Sequence, residues 1–291
     1  MNLAQLVEKY LAWKQVASGS VSTLRSYRKE LDKLLEAVGA DLAAEDFNLF
    51  VLHRFQMFLA NSKLSAKSQS HALAVAKALV KWACNEGIYR ENFGAALRGP
   101  RLPSTMPQAL TVEQVKTLLD GSYPTSWPER DRAVLELLYC GLRVGELVAL
   151  DIADRVAADE IIAKGKGRKE RKVTITEYGQ QALAAYLPQR KQLLARLHLS
   201  TPALLINRRG DRLTVRSVCR TVQTVALAKG LSPIHPHQLR TAYATHMLKA
   251  GAPLSVVSRL LGHAKLGTTM AYAGGPSWER AREAYDRAFK R

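Results

Sequence analysis

Apolar side chains recur at helical spacing through the first hundred residues. Leu3, Leu6, Val7, Tyr10 and Leu11 advance by three and four and so share one helix face. Leu24, Tyr27, Leu31, Leu34 and Val38 repeat the pattern. Val51, Phe55, Phe58 and Leu59 form a shorter stripe, and Ala72, Val75, Ala76, Leu79, Val80 and Ala83 a fourth, small enough for close packing. Four amphipathic helices within residues 1–98 predict a compact bundle.

The periodicity then stops. GPRLPSTMPQ has three prolines, a glycine and no apolar period, so residues 99–108 are expected to link this bundle to a second domain over 109–291. There, Thr111 and Gln114 form a predicted capping box, with Leu110 and Val115 as its hydrophobic staple. A Leu- and Val-rich helix should run to Cys140 and stop at Gly141. Ile161, Ile162 and the alternating KVTIT flank GKGRK, which predicts a β-hairpin with a basic tip. Further helices are expected over 175–198, 214–229, 236–250 and 255–261, with Pro236 at a first helical position and Gly251 and Gly262 at C-terminal caps. The expected fold is mainly α with a small β-sheet or hairpin (α+β), in two domains.

Charge adds a partner class. The chain carries 43 Lys and Arg against 25 Asp and Glu, a net +18 over 291 residues. The excess is uneven: residues 1–100 hold 13 basic and 9 acidic side chains, residues 101–291 hold 30 and 16. Such a field attracts polyanions, nucleic acid first among them. No apolar run approaches the roughly 20 residues of a membrane span. The amphipathic, acid-containing start is unlike a secretory signal, so a cytoplasmic protein without a membrane partner is expected. Cys84, Cys140 and Cys219 form no C-x-x-C pair and read as free thiols.

Four segments concentrate functional groups, and each by itself has an ordinary structural reading. GLRVGEL places Arg143 beside Glu146, which on its own suggests a surface ion pair. GKGRKERKV puts Lys166 on the hairpin tip, where a lysine ordinarily serves solubility. HPHQLR sets His237 and Arg240 on one helical face. LGHAKLGTTMAYA gives His263 and, nine residues on, Tyr272, a residue type that usually packs. Together they supply what metal-free cleavage of a phosphodiester requires. Two guanidinium forks can bind the non-bridging oxygens and stabilise the pentacoordinate transition state. Lys166 can protonate the leaving 5′ oxygen, and a histidine can handle the proton of an attacking phenol. No H-E-x-x-H or paired carboxylates accompany His235, His237, His246 and His263, so neither a metal nor another cofactor is expected, and EDTA insensitivity separates this chemistry from that of a metal-dependent nuclease.

In order and spacing these residues resemble the tyrosine recombinases, especially the short Xer-type and simple phage or transposon integrases. The family pattern is an arginine in GLR-x-x-EL, a lysine in a GKG-type hairpin, H-x-L-R, then LGH and a tyrosine nine residues later. Arg143, Lys166, His237, Arg240, His263 and Tyr272 match it one for one, and Glu146 matches a supporting acidic residue. The resemblance implies a helical, SAM-like core-binding domain and a catalytic domain closing around duplex DNA. It implies a covalent 3′-phosphotyrosine on Tyr272 and strand exchange through a Holliday junction, without metal or ATP. It also implies a homotetramer on specific core sites, with a partner recombinase or accessory protein an open possibility. After the tether Gly274, Gly275 and Pro276, the helical spacing of Trp278, Ala281, Tyr285 and Ala288 suits docking on a neighbouring protomer or on the chain's own domain.

Thr241 departs from the histidine that many relatives carry after the second arginine, outside the six matched positions. Arg25, Arg28, Lys67, Arg168, Lys169, Arg212, Arg216 and Arg220 are candidate DNA contacts, more suited to phosphates than to bases. Two other readings compete. THMLKAGAPLSVVSRLLGH can be read as a helix-turn-helix of a non-catalytic regulator, which leaves Arg143, Lys166 and Tyr272 without a role. A type IB topoisomerase shares the chemistry and differs in its products.

Overall fold

In the computed structural model the described residues are 1–18, 21–101, 109–165 and 170–262. The chain divides into two compact units, Met1–Ser104 and Thr105–Arg291.

The first unit is built on the four apolar stripes. They become α1 (Leu3–Ser18), α2 (Val21–Val38), α3 (Leu49–Ala60) and α4 (Ala66–Asn85). Leu3, Leu6, Val7, Tyr10, Leu31, Leu34, Phe55 and Leu79 are its fully enclosed core. Helix starts are marked locally: the Asn48 side chain accepts from the amides of Phe50 and Val51, and Ser65 accepts from that of Ser68. The third stripe differs from expectation in one position. Leu52 is buried with Val51, Phe55 and Leu59, whereas Phe58 is 36 % exposed. Positions 52, 55 and 59 set the centre of the buried face, and Phe58 falls at its margin.

The second unit begins with α5 (Val112–Leu119), which has the expected capping box: Thr111 Oγ1 accepts from the Gln114 amide at 3.1 Å and Gln114 Oε1 from the Thr111 amide at 2.9 Å. Leu110 and Val115 are both buried. Next come α6 (Pro128–Tyr139) and the short α7 (Val144–Ala149). Three antiparallel strands follow in the order β1 (Arg155–Ala157), β2 (Glu160–Lys164) and β3 (Glu170–Thr174). The basic hairpin is therefore β2–β3, with Ile161 opposite Val173 and Ala163 opposite Arg171. β1 and α7 are too short to announce themselves by periodicity. The KVTIT segment also divides differently from expectation. Pairing stops at Thr174, Ile175 enters the core, and the Thr176 hydroxyl accepts from the Gly179 amide to start α8 (Glu177–Leu197).

Three more helices complete the unit: α9 (Val215–Ala228), α10 (Pro236–Lys249) and α11 (Leu254–Leu261). Helix α6 packs on α8 and α10, and α10 on α11. His246 takes part in this packing. Its Nε2 lies 2.9 Å from the Leu110 carbonyl and its Nδ1 2.8 Å from the Tyr139 hydroxyl. A carbonyl only accepts, so Nε2 carries a hydrogen, and in that tautomer of the ring Nδ1 accepts a hydrogen bond from the Tyr139 hydroxyl. Among the described residues no helix is long and apolar enough to cross a membrane, and no group of three His, Cys, Asp or Glu side chains has the spacing to hold a metal.

Candidate active site

Glu146 is the centre of the cluster. The turn after α6 is made by Gly141, whose φ of +86° is accessible to glycine at little cost. An added Cβ there would meet the Tyr243 ring at 3.0 Å. The turn delivers Arg143 to the N-cap of α7, where its amide donates to Glu146 Oε2 at 2.8 Å and its Nη1 to Glu146 Oε1 at 2.6 Å. Glu146 is only 4 % exposed at its side chain. Burial alone would raise its pKa, but the Arg143 amide, the charge of Arg171 and hydrogen bonds to both arginines outweigh it and hold the carboxyl below its ordinary value.

Arg240 comes from the second turn of α10 and is 2 % exposed. Its Nη1 donates to the Gly141 carbonyl and its Nη2 to the Leu261 carbonyl at 2.5 Å, with Glu146 Oε2 at 3.8 Å from Nη1. Arg143 is more open, 44 % exposed at its side chain, and its Nη2 donates to the Gly262 carbonyl at 3.2 Å. His237, one turn before Arg240, is exposed. Partial burial and the charges of Arg240 and Arg143 lower its pKa from the ordinary imidazole value. The shift favours the neutral imidazole, the form that can accept a proton.

The second-domain fold thus gathers Arg143, Glu146, His237 and Arg240 from α7 and α10 into one basic, partly open cluster. Lys166, His263 and Tyr272 lie outside the described residues, as do Arg168 and Lys169. The cluster also contains a residue that motif reading missed. Arg171 on β3 donates from Nη2 to Glu146 Oε2 at 2.7 Å and to the Gly141 carbonyl at 3.1 Å, and from Nη1 to the Leu260 carbonyl. A signal for it exists. Positions 171, 173 and 175 alternate as Arg, Val and Ile, which puts a charge on the inward phase of a half-buried strand.

The candidate DNA contacts separate into groups. Arg25 and Lys67 are exposed in the first unit, and Arg216 and Arg220 on α9. Arg28 forms a two-pronged ion pair with Glu8. Arg212 is half-buried and engaged by the fold itself: it donates to the Val148 carbonyl at 3.1 Å and the Leu150 carbonyl at 2.9 Å, and pairs with Asp151. It precedes α9 rather than riding on it, and the neighbouring Thr214 and Ser217 cap that helix reciprocally. Thr241 is buried on α10, directed into the domain rather than out of the cluster.

A mainly helical two-unit chain with an antiparallel hairpin and three arginines around one buried carboxylate is suited to enzymes that act on a phosphodiester. The Phage integrase family model matches residues 108–275, more than half of the chain. Tyrosine recombinase XerC of Myxococcus xanthus is 34 % identical over 100 % of this chain and 99 % of its own length. Tyrosine recombinase XerD of Mycobacterium tuberculosis is 36 % identical over 93 % of each. In fold, the chain is similar to the Tn1549 transposon integrase, solved in complex with a circular intermediate DNA, at a TM-score of 0.80 with 17 % identity and 99 % of each chain covered. The chain belongs to the phage integrase family and is a tyrosine recombinase, a site-specific recombination enzyme.

Proposed function

We propose that this recombinase cleaves one DNA strand by attack of the Tyr272 phenolic oxygen on a backbone phosphorus. A phosphorus–oxygen bond to Tyr272 forms as the bond to the 5′ oxygen breaks, leaving a 3′-phosphotyrosine and a free 5′ hydroxyl. A histidine of the pair His237 and His263 takes the phenol proton, and Lys166 gives one to the departing oxygen. Arg143 and Arg240 hold the two non-bridging oxygens and stabilise the added charge of the transition state. Glu146 orients both arginines. The ester keeps the energy of the broken bond, so the reverse attack by a 5′ hydroxyl reseals a strand without ATP or metal.

The observation that carries this reading is the convergence of Arg143 and Arg240 on Glu146, with His237 near enough to feel the charge of both arginines. Three guanidinium groups, counting Arg171, face a single carboxylate, a surplus of positive charge suited to a phosphodiester. We further infer a cytoplasmic enzyme acting on double-stranded core sites. The helical unit serves as the core-binding domain, with Arg25 and Lys67 on phosphates, and Arg216 and Arg220 of the second unit make further phosphate contacts. Four protomers exchange strands through a Holliday junction, with a second recombinase as a candidate partner.

The test is covalent capture. The full-length protein is incubated with sheared DNA of its own source in EDTA, denatured in SDS, and the protein-linked fragments are sequenced. Wild type is expected to give an SDS-resistant adduct on a discrete site, and Tyr272→Phe to bind the same site with no adduct. An adduct that survives in Tyr272→Phe reassigns the nucleophile. Supercoil relaxation on arbitrary DNA, with no exchange between sites, identifies a topoisomerase instead.

A further inference from the structure

Arg171 has none of the catalytic roles above, yet it bonds to Glu146, the Gly141 carbonyl and the Leu260 carbonyl within the cluster. It occupies an inward position of β3, opposite Ala163 and two residues from the buried Val173, where the strand pattern calls for an apolar side chain. Its side chain is 12 % exposed. A guanidinium withdrawn this far from water is strongly penalised unless its charge and its donors are met. Here the charge is met by Glu146 and both Nη groups find acceptors in Glu146 and two carbonyls, while Nε has no partner among the described residues.

We propose that Arg171 is a positioning residue of the recombination site, holding the Glu146 carboxylate and the end of α11 in register with Arg143 and Arg240. The proposal rests on the DNA-cleaving reading given above.

Two observations carry it. The first concerns Glu146. Its Oε1 is taken by Arg143 at 2.6 Å and its Oε2 by Arg171 at 2.7 Å, while Arg240 stands off at 3.8 Å. Arg171 therefore satisfies the oxygen nearest Arg240. Without it, Oε2 keeps only the Arg143 amide at 2.8 Å and can draw in the Arg240 guanidinium, which sits within reach and is needed for phosphate. The second concerns α11. Its last carbonyls, on Leu260, Leu261 and Gly262, each accept from a different guanidinium: Arg171, Arg240 and Arg143 in that order. The negative end of the helix dipole is thus clasped by three arginines immediately before His263. Gly262 leaves room for this clasp, since a Cβ there would lie 2.6 Å from Arg171 Cδ. Arg171 also follows Lys166 by five residues, so one side chain ties the lysine-bearing hairpin, the Glu146 turn and α11 together.

A merely structural arginine would lower the stability of the fold and the activity in parallel. A positioning arginine changes the cleavage step at constant DNA affinity. The full-length wild type, Arg171→Gln and Arg171→Lys are compared on a nicked duplex bearing the site that wild type captures. Melting temperature, gel-shift affinity and the single-turnover rate of adduct formation are measured between pH 5 and 9. Arg171→Gln is expected to bind within about twofold of wild type but form adduct at least about tenfold more slowly. The acid limb of its profile should move to higher pH. Among the described residues the charged groups facing Glu146 are Arg143 from its own helix, Arg240 from α10 and Arg171 from β3, and removing one of these cations makes the carboxyl easier to protonate.

Arg171→Lys keeps the charge but not the fork, so it should retain the wild-type acid limb with an intermediate rate. A wild-type rate and profile in Arg171→Gln overturn the proposal. So does a rate loss that follows the melting temperature and is no smaller in Arg171→Lys. If Arg171→Gln does not fold, Arg171→Lys decides alone, because full wild-type speed there shows the fork to be unnecessary. Absence of any wild-type adduct defeats the cleavage reading itself, whereas an active wild type with indifferent variants defeats only this proposal.

Discussion

Glu136 on α6 is a carboxyl almost closed off from water, 3 % exposed, on the side of the helix that faces the core. Burial raises its pKa to about 7, Asp120 adds to the rise, and Arg132 opposes it. The sign of the pH effect follows. The folded state holds a proton that the unfolded chain releases near 4.5, so the contribution to stability is complete below that pH and is lost as pH rises through about 7. Glu136→Gln removes the slope. Urea unfolding at pH 5 and pH 8 should show wild type losing on the order of 1–3 kcal/mol more than the variant over that interval. A parallel response of the two proteins would mean that Glu136 is ionised in the fold. At this scale Arg143, Glu146, His237 and Arg240 were legible because motif spacing carries them. Arg171 and Arg212 were not, because an arginine reads as a solvent-facing charge until its acceptors are known. Those acceptors are backbone carbonyls distant in the chain, joined in Arg212 by Asp151 and in Arg171 by Glu146.

Among the elements, α11 is the most constrained at its end. Gly262 adopts φ +63° and ψ +44°, the left-handed cap, and its carbonyl receives Arg143. Gly262→Ala carries two burdens: the left-handed conformation, at roughly 1–2 kcal/mol for a residue with a Cβ, and collision with Arg171, whose guanidinium is pinned by its acceptors. The expected outcome is a loss of about 1–3 kcal/mol in unfolding free energy and slowed adduct formation. Unchanged values for both would show that Arg171 yields freely. Helix limits elsewhere were largely readable: Thr111 and Gln114 cap α5, Pro236 opens α10 and Gly262 closes α11 as their positions predict. The strand edges were less so. Ile175 and Thr176 continue the alternation of β3, yet the chain turns there because Thr176 finds a capping role and Ile175 finds core.

For the molecule as a whole, the uneven charge sets the terms of DNA binding. Residues 101–291 carry 30 basic against 16 acidic side chains, while the first hundred are close to balanced. Affinity for the captured site should fall steeply with salt, with a slope of log K on log[NaCl] of about −4 or steeper, corresponding to five or more neutralised phosphates. Gel-shift or fluorescence titration between 50 and 300 mM NaCl, roughly the range over which such slopes are read, tests it; a flat response would remove phosphate contact as the main source of affinity. Arg216→Ala or Arg220→Ala should each make the slope shallower by about one contact, whereas Arg212→Ala should act on stability instead, since Arg212 binds Val148, Leu150 and Asp151.

Taken alone, the chain's pattern of residues was enough for the four-helix stripes of the first unit, the basic β-hairpin, the helices of the second unit and the order of the site motifs. These depend on local spacing, and local spacing is written directly in sequence. Only the tertiary structure decided which of the protein's own carbonyls and carboxylates each enclosed arginine meets. It also decided that Phe58 yields its place to Leu52, and that the end of α11 sits within reach of three guanidinium groups. The physical reason is that a buried charge is permitted by the acceptors that surround it, and folding alone brings those acceptors together.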